Sequence, residues 1–438
     1  MNQATPPQSA DTAVSTAANS SQTLARAAQV YGDVADEATL ESARHILIDS
    51  LACAARAAES PLAKRLLRAR ESAEYVGDTS AFVIANMIHL EEFDCLHDAS
   101  ATAPGILVSA AVDIGSRLNS SMEEVLRAIV AGVEVTVQLG MAINGPGMYA
   151  QGYWPSSLCV KAGVAAAVSR LAGLNEAATA RAIAIAAISG PSVLPRKICD
   201  AHYLSSGVAV DLGIRSAYWA KGGIGAHDSI FDDGPVRTDP MKLDLSGDAP
   251  RVASVAIKRY PCARPLHAVI DAVRHLIERA KIDAREVTAV TVSLPTGVVP
   301  FLNRQIEPTV DVLRKSSLDY VVQLALFDRA RDIYAYRSLQ SAEPRVPVEL
   351  EIGDSEVEAM YPEQWAAKVT IRTGKDLHTV LQGSSGDTPL PGRPATWLTD
   401  KWRDLAQDPE WLERLLSAPM PAPLASVRPL EIVQVAGR

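Results

Sequence analysis

The chain has 438 residues, 48% of them hydrophobic, 21% charged and 5% aromatic, and a formal net charge of −9. That length exceeds the ~250–300 residues at which one hydrophobic core stops growing, so two domains are expected, with cores of Ala, Val, Leu and Ile more than of aromatic rings. The acidic balance and the lack of a basic run exclude nucleic acid as a partner; a small anionic substrate stays open, because a few Lys and Arg can bind a carboxylate inside a net-negative protein.

Residues 1–20, rich in Ser, Thr, Ala, Gln and Pro, have neither a charged n-region nor an apolar h-region and read as a disordered tail, not a signal peptide. Apolar residues then recur at helical spacing over 23–54 and 61–74. Residues 86–105 place two His, two Glu and two Asp in an Ala-rich, apolar region. Ionisable groups are costly to bury unless paired or used, so this segment reads as the wall of an active site. On a helix, His89 and Glu92 share one face and Asp94 shares a face with His97 and Asp98, and Ala103-Pro104-Gly105 would stop that helix.

Asn119-Ser120-Ser121 followed by Glu123 and Glu124 is a helix start with acidic residues in its first turn. Residues 164–187 read as small-residue helices that pack closely. Ser169, Arg170, Asn175, Glu176 and Arg181 interrupt them short of the ~20 apolar residues of a membrane span, and no membrane segment is expected. Helices continue to about Lys221. From residue 250 the pattern changes: 252–257, 287–292, 346–351 and 367–371 alternate as strands do, with helices expected over 266–281 and 317–332.

Trp397, Trp402, Trp411 and Leu412 recur at helical intervals in the C-terminal stretch, which is expected to pack back on the helical part. The expected architecture is mainly α: a helical domain over 21–248 and 391–438, and an α+β lid over 249–390. Cys53, Cys95, Cys159, Cys199 and Cys262 are scattered and odd in number, which gives no disulfide framework or zinc spacing and suits a reducing cytoplasm. Cys95 is expected to be a buried thiol.

Five motifs in order carry a family resemblance. They are Asn86 with His89-Leu90-Glu91-Glu92-Phe93-Asp94-Cys95-Leu96 and Ala103-Pro104-Gly105; Gly152-Tyr153-Trp154-Pro155-Ser156; His202-Tyr203-Leu204-Ser205-Ser206-Gly207-Val208-Ala209; Lys258-Arg259-Tyr260-Pro261 with His267 and Asp271-Ala272; and Ser316-Ser317-Leu318-Asp319-Tyr320. Over roughly residues 20–400 the chain resembles the MmgE/PrpD family, which includes 2-methylcitrate dehydratase, cis-aconitate decarboxylase and iminodisuccinate epimerase. The resemblance implies a large helical domain with a lid, a ligand between them and a homodimer, with no organic cofactor. Four positions depart from the family pattern: Leu96 stands for Thr, Ala103 and Trp154 for His, and His202 for Lys.

Leu96 and Ala103 cannot transfer protons, and general acid–base catalysis needs a titratable group in reach of the reacting atom. The candidate catalytic residues are therefore Glu92, Asp94, Tyr149, His202, Lys258 and Tyr320. His89, His97, Trp154, Lys197 and Arg264 are candidates for substrate binding, with Trp154 giving a bulkier, less polar wall. His89, Glu92, Asp94, His97 and Asp98 also offer nitrogen and oxygen donors, but they spread over at least two helix faces and the resemblance implies no metal, so none is expected. The expected activity is a divergent lyase or isomerase that abstracts a proton alpha to a carboxylate or carbonyl; the alternative is a non-catalytic relative that binds a ligand or partner in the same cleft.

Overall fold

The computed structural model describes residues 18–70, 80–193, 199–227, 229–308, 310–338, 345–384 and 395–431. Most of the expected tail lies outside the described residues; Asn19 already caps the first helix, Ser20–Val34, in a reciprocal capping box with Gln22. Asp36 caps Glu37–Ala57, Ser121 and Glu124 form a capping box at the start of Met122–Ala142, and Asn175 caps Glu176–Ala187. In each case a short polar side chain accepts an N–H that the first turn leaves without a partner.

Met122–Ala142 is long and apolar enough to cross a membrane by length and composition, yet its apolar window is 89% buried within the molecule. It packs against Pro155–Leu171 and Ser20–Val34, and Pro155–Leu171 in turn packs against Ala201–Lys221 and Glu176–Ala187. Small residues set the spacing: a Cβ on Gly132 would sit 2.9 Å from the Gly163 carbonyl oxygen, and one on Gly163 only 2.3 Å from Thr136 Cγ2. Larger side chains there would force these two helices apart, at the cost of dispersion contacts along both.

The smaller part holds a four-stranded sheet in the order Val348–Ile352, Val287–Leu294, Ala367–Thr373, Asp376–Gln382. The first pair is parallel, with Val290 opposite Val348, and the other pairs are antiparallel. Pro265–Ala280 covers one face, and Leu318–Leu326 packs on that helix. Thr396–Ala406 and Pro409–Ser417 return to Glu37–Ala57, where Lys401 Nζ pairs with buried Asp49 at 2.7 Å and Trp402 Nε1 donates to the same carboxylate at 3.1 Å.

The mainly-α class matches the expectation; three local readings do not, and one strand was not expected. Residues 252–257 form no strand: Arg251–Ser254 is a 3-10 turn, and Ala256 makes a single bridge to Leu96. The Arg251 N–H is taken by Glu134 Oε2 at 2.9 Å, which diverts the backbone from a ladder. The helix expected over 317–332 ends at Leu326, with Asp328 left-handed at φ 53°. Asp376–Gln382 gave no sequence signal because it is an edge strand with mostly exposed side chains. Lastly, the helix bearing His89 stops at Leu90, and Ala103-Pro104-Gly105 begins a short helix, Ala103–Ile106, where proline is tolerated in the first turn.

Candidate active site

The polar cluster forms where Ser80–Leu90 ends. Asn86 Oδ1 on this helix accepts the Gly207 N–H at 2.7 Å and ties it to Ala201–Lys221; a Cβ on Gly207 would lie 2.6 Å from Asn86 Nδ2. Beyond Leu90 the backbone turns, and Glu92 takes a left-handed φ of 52°. Two consecutive glutamates consequently point to different places. Glu91 is fully buried between Lys315 Nζ, 2.8 Å away, and Arg337 Nη2, 2.7 Å away. Glu92 faces a hollow.

Around Glu92, Lys258 Nζ donates to its carbonyl oxygen at 2.9 Å and to Oε2 at 3.0 Å, and lies 3.9 Å from Asp94 Oδ1. His89 sets its Nδ1 3.3 Å from the Asp94 carboxylate and its Nε2 3.5 Å from Glu92 Oε1 and 3.4 Å from His202 Nε2. Trp154 stacks on the His89 ring with centroids 5.5 Å apart and meets the His202 ring edge-on at 4.9 Å. Both imidazoles are buried.

Electrostatics assigns the charges. Burial alone would raise the Glu92 carboxyl, but the fields of His89, Lys258 and His202 outweigh it and hold it at about 2. Burial likewise disfavours the cations of His89 and Lys258, and in both the carboxylates of Glu92 and Asp94 win and push the pKa up. His202 goes the other way: burial, reinforced by neighbouring His89, lowers it to about 4. At neutral pH His202 is therefore neutral, beside a His89 that the two carboxylates hold above its ordinary value. Burial also pushes the Tyr149 phenol up and the His97 imidazole down to about 4.

The cluster opens on a cleft of about 620 Å³, part of it continuous with solvent. The helical body supplies His89, Glu92, His97, Tyr149, Trp154 and His202, Lys258 comes from the segment that follows Arg251–Ser254, and the smaller part supplies Arg264, Phe301 and Trp365. Arg264 Nε donates to Asp98 Oδ1 at 3.0 Å across this boundary. Tyr149 packs edge-on against Phe301, centroids 4.2 Å apart. Asp94 lies behind the wall, fully buried, and acts on the cleft through His89 and Lys258.

Tyr320 is a correction: it does not reach the cleft. Ser317 caps its helix, which turns Tyr320 into the core of the smaller part, and its hydroxyl donates to the Ala335 carbonyl at 2.5 Å. Lys197 lies outside the described residues. The five-donor set weighed from sequence does not gather, since His97 Nδ1 accepts the Ala99 N–H at 3.1 Å and Asp98 pairs with Arg264. Among the described residues, the metal-capable side chains that do converge are His89, Glu92 and His202, their donor atoms within 4.8 Å of one another. Cys95 is buried and its thiol is pushed well up, chiefly by burial.

Residues 22–235 match the MmgE/PrpD N-terminal domain and residues 260–409 the MmgE/PrpD C-terminal domain. The chain belongs to the MmgE/PrpD family. Cis-aconitate decarboxylase of Homo sapiens is 26% identical over 306 residues, covering 65% of this chain and 61% of the relative. Cis-aconitate decarboxylase of Mus musculus is 24% identical over 287 residues, 61% of this chain and 58% of the relative. A cis-aconitate decarboxylase-like protein of Aspergillus oryzae is 23% identical over 301 residues, 59% of this chain and 62% of the relative. The matched stretch thus spans about three fifths of these relatives.

Three of the four departures from the MmgE/PrpD pattern, Leu96, Trp154 and His202, line the cleft, whereas Ala103 is fully buried and does not. Sequence reasoning missed Phe301 and Trp365, which close the cleft from the smaller part. Phe301 ends the 3-10 turn Thr296–Phe301 and Trp365 precedes a strand, so neither carries a periodic signal.

Proposed function

We propose that this MmgE/PrpD chain is a divergent lyase or isomerase acting on a small carboxylate or related carbonyl compound, by proton abstraction from the carbon alpha to that group and without an organic cofactor. The observation that carries the reading is the convergence of Glu92, His89, His202 and Lys258 on one hollow between the two parts of the molecule. Lys258 and Arg264, both lining the cleft, would grip an anionic carboxylate. Neutral His202 takes the proton, the C–H electron pair passes into the carboxylate or carbonyl as an enolate, and the His89 cation and the Tyr149 hydroxyl stabilise the oxygen charge. Loss of a group from the adjacent carbon completes a lyase reaction; return of the proton to the opposite face completes an isomerisation. The decarboxylase names of the relatives favour the lyase outcome.

A panel of di- and tricarboxylates, scored by thermal shift and by turnover, tests the proposal. A ligand that binds only the folded state raises the melting temperature. Turnover of a panel member, lost in Lys258→Met with the fold retained, is the expected result. Binding without turnover in the native chain would favour the second reading, a ligand-binding relative, for which the apolar Leu96 in the cleft wall speaks. The expected homodimer is also a proposal: Leu204, Val208, Tyr218 and Trp219 on Ala201–Lys221 are exposed and offer an apolar face for a second copy. Light scattering would measure it, and a monomer would remove it.

A further inference from the structure

The charges around the cleft cancel. Among the described residues, its Lys and Arg side chains are Lys258 and Arg264, and each already has a carboxylate on the same wall: Lys258 Nζ is 3.0 Å from Glu92 Oε2, and Arg264 Nε is 3.0 Å from Asp98 Oδ1. His89 brings no surplus either, because the Asp94 carboxylate lies 3.3 Å from its Nδ1. With His89 counted as a cation, Lys258, Arg264 and His89 are balanced by Glu92, Asp98 and Asp94; with His89 neutral, the balance is negative. One ligand carboxylate can share Lys258 and Arg264 with their own partners. A second or third drawn into the hollow would be buried without a countercharge, which is costly.

Much of the remaining wall is flat and apolar. Trp154 stacks on the His89 ring, centroids 5.5 Å apart, so an indole borders the imidazole pair. From the smaller part, Phe301 and Trp365 meet Tyr149 edge-on with centroids 4.2 and 6.4 Å away. Leu96 and Trp154 both line the cleft, and they stand where the family pattern has Thr and His. Two groups that could hydrogen-bond an oxygen-rich ligand are thereby replaced by a hydrocarbon side chain and an aromatic face. Such a wall gains from an aryl partner through burial and edge-to-face contact, and a carboxylate in the same place loses its water for nothing.

From this charge balance and these rings we propose that the cleft selects a substrate with one carboxylate and a flat apolar body, an aryl or conjugated alkenyl group on the alpha carbon, over one with two or three carboxylates. The position of that group rests on the reading above, in which the alpha C–H bond is the one broken. The chemistry agrees: when the C–H electron pair passes into the carboxylate, a conjugated substituent on the same carbon spreads the charge, and fewer cations are needed to stabilise it. A dicarboxylate can still enter with its second charge at the mouth, where the cleft is continuous with solvent.

Calorimetric titration of the full chain at neutral pH with phenylacetate and with tricarballylate tests the selection. Phenylacetate is expected to bind at least about ten-fold tighter, because the extra carboxylates of tricarballylate enter unpaired. Phe301→Ala should weaken phenylacetate about ten-fold and leave tricarballylate unchanged, and Trp154→His, which restores the family imidazole, should narrow the ratio. Circular dichroism separates lost binding from lost folding; Phe301→Ala serves if Trp154→His unfolds. Equal or tighter binding of tricarballylate, or a ratio that survives both variants, would overturn the inference. Exchange of the phenylacetate alpha hydrogens with solvent deuterium reads the reaction separately. Selection for phenylacetate without exchange would uphold the binding preference and remove the proposed proton abstraction, whereas turnover of tricarballylate bound more tightly than phenylacetate would keep the reaction and sink the selection.

Discussion

The contact at Glu91 and the cluster at Glu92 use the same parts, buried carboxylates against buried cations, and differ in what surrounds them. Glu91 is enclosed: besides Arg337 and Lys315, the Lys315 ammonium also reaches the Leu90 carbonyl at 2.7 Å, and Arg337 Nη2 reaches the Arg56 carbonyl at 2.6 Å. Arg337 Nη1 also pairs with Glu59 at 3.2 Å, so two cations meet two carboxylates, and together they fasten the smaller part to the end of Ser80–Leu90. Glu92 has Lys258 on one side and open space on the other. A satisfied buried triad can only hold the molecule together, whereas one with an open side can hold or move a proton or bind an ion.

The largest effect that would sharpen this contrast is on stability. Glu91→Ala leaves buried Lys315 without an anion and Arg337 with Glu59 alone, and should cost about 3–5 kcal/mol, read by urea denaturation. At the cleft the pattern should reverse. Glu92→Gln keeps the side chain's shape but removes the negative charge that favours the His89 cation, so turnover of a carboxylate substrate should drop by about 10²–10³-fold while the denaturation midpoint moves less than for Glu91→Ala. A Glu92 variant as unstable as the Glu91 variant would break the comparison.

Glu134 supplies a contrast in pH. Burial raises its carboxyl to about 7, because its nearest cation, Arg251, is only within 3.8 Å while Gln138 and the Arg251 N–H supply neutral donors. A folded-state pKa above the unfolded value near 4.5 means that its contribution is present below about 4.5 and lost as pH rises through 7; the span corresponds to about 3 kcal/mol. Glu91, whose pKa the opposing cations pull down despite burial, acts in the other sense and contributes above its usual range. Glu134→Gln should flatten the loss of stability between pH 5 and pH 8; an unchanged profile would remove Glu134 as its source. The smallest effect is at Ala101, which lines the cleft with φ 49°. Ala101→Gly relieves a left-handed backbone and should raise stability by about 0.5–1 kcal/mol, visible as a small rise in melting temperature.

Fold class, the polar character of residues 86–105 and the helix starts are legible in the sequence, because capping and hydrophobic periodicity are local physics. Ser121 with Glu124 and Asn175 cap helices as their spacing implies. It also carried the family resemblance that names Glu92, His202 and Lys258. Which of two adjacent glutamates faces the cleft is not legible there, since that turns on one left-handed residue and on cations arriving from 166 and 224 positions away. The same holds for Tyr320, which a helix cap rotates into the core, and for Phe301 and Trp365, which reach the cleft from segments without periodicity. Whether a charged group is enclosed or open depends on partners distant in the chain, and no local pattern encodes their arrival.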